Sequence, residues 1–160
     1  MATWKTYIKD RGDKGFTMLE VLLVLVILMV MYTVASPYFT GHRQKIYLNE
    51  AAQALMEDLK LTRQTAVTKN TNYEITYNFS DNKVYIINTL DSAGNVTATR
   101  TKTLINSQYG IAFTDDGMVC ADFKFYSRGT CSDECTMVLT NSLNQTRQIR
   151  TSVTGKVSVQ

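Results

Sequence analysis

The chain has 160 residues, of which 44% are hydrophobic and 19% charged, and its formal net charge is +3. This length allows one domain, or one domain and an anchor. Two of the three net positive charges lie before Phe16, so the remainder lacks the basic surface of general nucleic-acid-binding proteins. No Ser/His/Asp set, phosphate-binding glycine loop or paired acid and base is apparent, so we expect neither an enzyme nor a cofactor.

The first predicted element is an apolar helix. No charged residue occurs from Val21 to Gly41, and about 20 apolar residues are enough to cross a bilayer core. Cations before such a segment favour a cytoplasmic amino terminus. We therefore predict that residues 16–40 span a membrane, with the amino terminus in the cytoplasm and the carboxy-terminal part exported.

Glu20 is the anomaly in this helix. A carboxylate inside an apolar membrane helix costs on the order of 3 kcal/mol, so it indicates a partner or a function. A cut between Gly15 and Phe16 would create an amino group on Phe16 that could pair with Glu20 of a neighbouring subunit. Such a pair is strong at low dielectric and would set the register between subunits. Phe16 and Glu20 are therefore the predicted docking residues.

The segment from Lys14 to Glu20 resembles the class III signal of type IV prepilins and type II secretion pseudopilins. The resemblance implies that a prepilin peptidase removes residues 1–15, cutting after Gly15, and that Phe16 is then N-methylated. It also implies that other pilin subunits and an inner-membrane assembly platform are partners. A conventional secretory signal is disfavoured, because its small-residue cleavage site follows the apolar core, whereas Gly15 precedes it.

Pro37, the single proline, matches the residue that ends or kinks the membrane half of the helix in that family. Proline lacks a backbone donor and disfavours helical geometry at the residue before it. Beyond it, residues 41–70 are predicted to form an amphipathic half of the helix, because apolar residues recur at spacings of three and four. The members of this stripe are Leu48, Ala52, Leu55, Leu59, Thr62 and Ala66.

After Asn70 the hydrophobic period changes to two, which predicts strands. Residues 71–160 should form the head, with strands near 73–79, 83–88, 96–105, 110–114, 119–126, 136–140, 146–153 and 156–159. Turn signals separate them, such as Asp115-Asp116-Gly117 and Gly129. The predicted fold is α+β: a long amino-terminal helix, kinked near Pro37, packed on a mainly antiparallel sheet or β-sandwich.

A second resemblance rests on Arg63, Ala66 and Asn70 at the end of the helix and on Gly129 and Gly155 near the carboxy terminus. These residues resemble the GspH/FimT-type minor pilin domain. The resemblance implies a head of two sheets on the pilin helix and a place in an initiating or tip complex.

Three cysteines, Cys120, Cys131 and Cys135, lie in the part predicted to be exported, where a disulfide is compatible with the oxidising compartment. Cys131 and Cys135 would close a small loop, but Cys120 with either one is also allowed. All three could be reduced. A zinc site is disfavoured because structural zinc takes four ligands, and no metal is predicted.

Arg147, Arg150 and Lys156 are candidate nucleic-acid contacts. Some FimT-like pilins are thought to bind DNA through a Gly-Arg-x-Arg motif, but this chain has Gly155-Lys156-Val157-Ser158 and departs from it at both basic positions. His42 is interpreted as a surface residue. Asp115-Asp116-Gly117 with Asp122, or Asp133-Glu134, could suggest calcium, although Asp-Asp-Gly is more often a turn.

The resemblance implies a minor pilin or pseudopilin that helps to assemble, initiate or cap a filament driven by a cytoplasmic ATPase. The precursor would reside in the inner membrane and the filament in the periplasm or at the cell surface. The alternatives are a DNA receptor at the tip of a competence pilus and an enzyme tethered by a single anchor. Secretion, adhesion or motility, and DNA uptake all remain open as the filament's use, because one fold serves several machines.

Overall fold

A computed structural model describes residues 15–78, 80–120 and 122–160, without the side chains of residues 35–40. The chain divides into two compact units, one ending at Phe39 and the other comprising Thr40–Gln160. Residues 1–14 of the predicted leader lie outside the described residues, as does Phe79 at the end of the first predicted strand.

The helix α1 spans Met18–Lys69, close to the predicted parts 16–40 and 41–70 taken together. Its carboxy-terminal end has a defined cap. Asn70 takes a left-handed backbone conformation with φ 50°, and the N–H groups of Asn70 and Thr71 donate to the carbonyls of Val67 and Ala66. This is a Schellman motif, which satisfies the last carbonyls of the helix.

Pro37 lies inside α1, so this proline does not end the helix. Proline in a helix interior removes one hydrogen bond and commonly bends the helix. The kink predicted at Pro37 stays a prediction.

The head contains two four-stranded antiparallel sheets. Sheet A has the order β3-β2-β1-β5 and sheet B the order β4-β6-β7-β8. The strands are β1 Asn72–Tyr77, β2 Val84–Leu90, β3 Val96–Thr103, β4 Ala112–Thr114, β5 Asp122–Phe125, β6 Cys135–Thr140, β7 Thr146–Thr151 and β8 Val157–Val159. A short 3-10 helix, Ser107–Tyr109, lies between β3 and β4. Each predicted strand is present, and the α+β prediction is confirmed.

The core of the head lies between α1 and the inner faces of the sheets. All six residues of the predicted helical stripe are buried, so the amphipathic interpretation of this half of α1 is confirmed. Aromatic residues fill the space opposite it, with Tyr77 and Phe113 in edge-to-face contact at 4.8 Å between ring centroids. Every buried hydrophobic residue that the structure describes falls between Leu48 and Val157, so the second unit contains its own core.

The structure contains one of the cysteine pairings that the sequence left open. The structure joins Cys120 to Cys135, with 5.4 Å between their Cα atoms, and leaves Cys131 as a buried free thiol. The Val119 N–H donates to the Thr136 carbonyl at 3.1 Å, which brings the neighbouring Cys120 alongside Cys135. Of the pairings allowed by the sequence, the structure therefore has Cys120–Cys135 and not Cys131–Cys135, and a contact distant in sequence decides the partner.

Candidate functional site

The amino-terminal residues of the first unit are exposed and apolar. The side chain of Phe16 is 83% exposed, and the large hydrophobic side chains from Met18 to Val34 are between 48% and 87% exposed. A soluble monomer rarely exposes a contiguous apolar patch of this size, and such patches mark interaction sites with proteins or membranes.

Glu20 lies in the first turn of α1 rather than within the helix interior. The Thr17 side chain caps the helix, because its Oγ1 accepts a hydrogen bond from the Glu20 N–H at 3.2 Å. Thr17 and Glu20 have the spacing of a capping box, and a carboxylate in the first turn interacts favourably with the helix dipole. The Thr-x-x-Glu spacing is the sequence signal that could have predicted this helix start.

The position of Glu20 lowers the expected free-energy cost of its carboxylate in a membrane helix. The cost of about 3 kcal/mol applies at the centre of a membrane helix, whereas Glu20 is at the helix start and exposed. Glu20 therefore has a local structural role in addition to its predicted docking role. The contact between Phe16 of one subunit and Glu20 of another joins two chains, and it stays a prediction.

Across the described residues, which omit the side chains of residues 35–40, no helix is both long and apolar enough to cross a membrane.

In the head, Arg63 ties α1 to two loops of the carboxy-terminal region. Its Nε donates to the Gly129 carbonyl at 2.7 Å, and its Nη2 donates to the Thr154 carbonyl at 3.2 Å. Gly155 has φ +76°, and a Cβ added there would overlap the Gly129 carbonyl and crowd the Arg63 guanidinium. Arg63, Gly129 and Gly155, three of the residues that suggested a minor pilin domain, thus form one structural clamp.

The candidate nucleic-acid contacts do not form a cluster. Arg147 is half-buried and donates from Nε to the Asn49 side chain of α1 at 2.7 Å. Arg150 lies three residues further along β7, on the opposite face of the strand, and forms an ion pair with Glu134 at 2.6 Å. Lys156 is exposed and lies beside Gly155 and Lys60 at the edge of α1.

A polar cluster that the sequence analysis did not predict joins α1 to sheet A. The Asp58 carboxylate accepts a hydrogen bond from the Tyr85 hydroxyl and forms an ion pair with Lys102. Burial raises the pKa of Tyr85, and its hydrogen bond to Asp58 and the negative charge of Asp58 raise it further. The cluster fixes β2 and β3 against the helix and provides no exposed nucleophile.

The metal candidates have structural explanations. His42 is exposed. The Asp115 carbonyl accepts a hydrogen bond from the Met118 N–H at 3.2 Å, and Gly117 has φ +80°, so Asp115-Asp116-Gly117 forms a turn as predicted. Within residues 15–78, 80–120 and 122–160, no three His, Cys, Asp or Glu side chains are arranged to bind a metal ion.

Comparison with known families gives a match at the amino terminus. Residues 10–35 match the family described as the prokaryotic N-terminal methylation motif. This match covers the predicted cleavage site and the apolar part of α1. A motif of this kind implies a membrane-anchored precursor.

Comparison with curated proteins gives a relative by sequence. The chain is 31% identical over 87 residues to the competence protein ComGD of Bacillus subtilis (strain 168), covering 52% of this chain and 58% of the relative. The chain therefore spans less than two thirds of the length of this relative.

Solved structures share the fold of the chain. The type IV minor pilin FimU of Pseudomonas aeruginosa (strain PAO1) aligns with a TM-score of 0.57 at 19% identity, covering 76% of this chain and 92% of FimU. The minor pseudopilin EpsH from the type 2 secretion system of Vibrio cholerae aligns with a TM-score of 0.54 at 14% identity, covering 71% and 96%. The chain thus carries a prokaryotic N-terminal methylation motif and shares its fold with a type IV minor pilin and a minor pseudopilin.

Proposed function

We propose that this chain is a minor subunit that helps to assemble, initiate or cap a type IV pilus or a related pseudopilus. The observation that carries the proposal is the pairing of two features in one chain. Residues 10–35 match a methylation motif, and the head has the fold of the minor pilins FimU and EpsH. Prepilin peptidase and the inner-membrane platform are the partners that this role requires.

The exposure of the amino-terminal half of α1 supports this role. The apolar side chains from Met18 to Val34 have no cover within the described part of the chain. We propose that they lie in the membrane while the chain is a precursor, and that neighbouring subunits cover them in the filament. Phe16 and Glu20 would then supply the amine and the carboxylate that pair between subunits.

The experiment that tests this proposal is a mass measurement with amino-terminal sequencing on protein purified from membranes of the native host. We expect a chain that begins at Phe16 and carries one additional methyl group. A Gly15→Val variant should retain residues 1–15, because a bulky residue blocks cleavage after position 15. A chain that begins at Met1 in the unaltered protein, or is cut beyond Ala35, would contradict the proposal.

One observation favours a competence pilus as the filament to which this subunit belongs. The relative identified by sequence is a competence protein. Deletion of the gene in the native host should then reduce uptake of added DNA, and expression of the unaltered chain should restore it. Normal uptake combined with a loss of protein secretion would instead assign the subunit to a secretion pseudopilus.

Direct DNA binding by the head is the other candidate. The half-buried position of Arg147 and the ion pair of Arg150 with Glu134 disfavour the three residues nominated from the sequence. Gel shifts at two salt concentrations test it, because binding through phosphates weakens steeply as salt rises. We expect that replacing Arg147, Arg150 and Lys156 together leaves any gel shift unchanged.

A further inference from the structure

Three segments of the head meet around Tyr47, near the start of the second unit. The Tyr47 ring stacks on the Tyr109 ring with 4.4 Å between their centroids, which holds one loop of the head against α1. The Asn141 side chain donates from Nδ2 to the Gln44 carbonyl at 3.3 Å, which holds a second loop against the preceding turn of the helix. We refer to these segments, residues 42–47, 104–110 and 141–145, as the Tyr47 surface.

The two loops of the Tyr47 surface expose apolar side chains and contain no charged residue. Ile105 and Leu143 are each 52% exposed, and Tyr109 is 45% exposed. The loop around Leu143 is fixed from within, because the Asn141 Oδ1 accepts hydrogen bonds from the N–H groups of Leu143 and Gln145, both at 3.0 Å. Single exposed apolar side chains are normal on a soluble protein, whereas several together indicate an interaction surface.

The helix supplies the positive charge of the Tyr47 surface. Arg43 and Lys45 are exposed, and neither forms an ion pair within the part of the chain that the structure describes. They are two positions apart, so they point to different sides of α1 at almost the same height. Glu50, the next carboxylate along the helix, lies about 10 Å beyond Arg43. The turn between β1 and β2 contacts the first loop and carries Asp81 and Lys83, whose charges balance.

The proposed membrane segment, residues 16–40, ends just before these cations. The methylation motif implies a membrane-anchored precursor. The uncharged residues from Val21 to Thr40 are about 30 Å long as a helix, which matches the hydrocarbon core of a bilayer. The headgroup layer adds about 5 to 7 Å on each side, a distance that about four more helical residues cover. Arg43 and Lys45 are therefore at the level of the headgroups in an anchored chain.

We propose that the Tyr47 surface rests on the bilayer that anchors the precursor, and that its partner is the headgroup layer of anionic phospholipids. Arg43 and Lys45 contact the phosphates, while Ile105, Tyr109 and Leu143 enter the layer beside them. Tyrosine and the long basic side chains suit this depth, because each combines an apolar body with a polar end. The inference rests on the proposed function, since the anchor keeps these weak contacts at a high local concentration beside the lipid.

The anchor by itself does not account for the whole surface. Cations that follow a membrane helix can extend to the headgroups on their own, so Arg43 and Lys45 would not require the head to touch lipid. The two loops are distant from the anchor in sequence, and the contacts of Tyr109 and Asn141 bring them to the level of these cations. A test of the proposal must therefore place its reporter on a loop.

A tryptophan reporter in the full chain provides this test. Trp4 is the single tryptophan, so Trp4→Phe gives a background without one, and Leu143→Trp then places the reporter on the proposed contact. The chain is reconstituted in vesicles of phosphatidylethanolamine and phosphatidylglycerol that carry a spin label on part of their headgroups. We expect the label to quench this reporter about threefold more than a reporter at Val153.

Val153→Trp, in the same background, is the matched control. Val153 is 55% exposed, close to the 52% of Leu143. It lies beside the other end of the helix, because the neighbouring Thr154 carbonyl accepts a hydrogen bond from Arg63, and Arg63 is about 28 Å from Gln44 along α1. Ile105→Trp provides a second reporter on the proposed contact, should Leu143→Trp fail to fold as judged by circular dichroism.

Charge reversal tests the role of the cations. Arg43→Glu combined with Lys45→Glu should reduce the quenching at position 143 to the level at position 153, because the surface would then repel anionic lipid. Lys60→Glu combined with Lys69→Glu is the matched control. These two lysines are exposed on later turns of the same helix, and the pair changes the net charge equally but should leave the quenching unchanged.

Flotation of the vesicles separates the possible failures. A chain that floats with the vesicles, but whose reporter at position 143 is quenched no more than the one at position 153, would overturn the lipid contact and leave the anchored role intact. A blue-shifted and unquenched reporter, with a shift that grows with the number of chains per vesicle, would assign the surface to a second copy and also overturn the proposal. A chain that does not float would contradict the anchoring and, with it, this contact.

Discussion

The two halves of α1 are both rich in aliphatic residues, but the exposure of these residues differs. Leu59 in the carboxy-terminal half is 0% exposed, whereas Leu25 in the amino-terminal half is 59% exposed. The first belongs to a stripe with polar residues on the other side of the helix, and the second to a run without charges. A helix that is apolar on one side is expected to pack against the rest of its own chain. A helix that is apolar on every side is expected to be covered by other molecules, such as lipids or neighbouring subunits.

The largest expected effect concerns assembly and leaves the head unaffected. Gln at position 20 keeps the capping box, because Glu and Gln both serve at that position, but it removes the charge. We expect Glu20→Gln to reduce incorporation into filaments in the native host at least tenfold, measured in sheared filament fractions. Glu20→Asp keeps the carboxylate and should retain most of the incorporation. Equal loss in both variants would mean that the charge is not the determinant.

Truncating the two leucines tests the comparison directly. Leu59→Ala should lower the free energy of unfolding of the head by about 3 kcal/mol, because it leaves a cavity in the core. Leu25→Ala makes the same chemical change at an exposed position and should lower it by less than about 0.5 kcal/mol. Urea unfolding of the full chain in mild detergent, followed by tyrosine fluorescence, measures both. A large effect of Leu25→Ala would show that the head depends on the first unit.

A substitution in the clamp at Arg63 should have a smaller effect on the free energy of unfolding of the head. Gly155→Ala should lower the free energy of unfolding by about 2 kcal/mol, since it adds both strain at positive φ and overpacking against Gly129 and Arg63. Gly94→Ala is the matched control: Gly94 has φ +87° but open space around its Cβ position. We expect it to cost about 1 kcal/mol from strain alone. Equal losses would mean that the clamp tolerates the added methyl group.

The smallest expected effect is on stability at alkaline pH. The pKa of Tyr85 is raised above 10 in the folded head, so the unfolded chain releases this proton first and stability falls as the pH rises above about 10. Tyr85→Phe should be less stable at pH 7 but should lose less stability between pH 9 and pH 11. Unfolding midpoints at these pH values measure the slope. The same dependence of stability on pH in both proteins would show that ionisation of Tyr85 does not lower the stability of the head at alkaline pH.

Local patterns in the sequence were sufficient to predict the elements. The period of two from Tyr73 onward predicted β1, and the stripe from Leu48 to Ala66 predicted the buried face of α1, because each pattern depends on residues close in sequence. Contacts between distant residues were not predictable in this way. The partner of Cys120 depends on the contact between Val119 and Thr136, and the site of Asp58 beside Tyr85 depends on how α1 meets sheet A.

The candidate site was predicted less completely than the fold. Gly15, Phe16 and Glu20 were recognisable because the motif is contiguous. The three cations nominated for DNA binding were close in sequence as well, but alternation along β7 directs Arg147 and Arg150 to opposite faces. Proximity in sequence therefore led to a motif that the family comparison also matches, but it did not indicate which face of β7 each arginine occupies.

The disulfide between Cys120 and Cys135 has a mechanical consequence. A subunit in a filament is loaded along its chain when the filament is pulled, and an unfolding head lengthens by the contour of the residues released. The residues between the two cysteines, 15 positions apart, could otherwise extend by about 50 Å at about 3.4 Å per residue. The covalent link removes that length from the stretched chain, so an oxidised head is less extensible under tension than a reduced one.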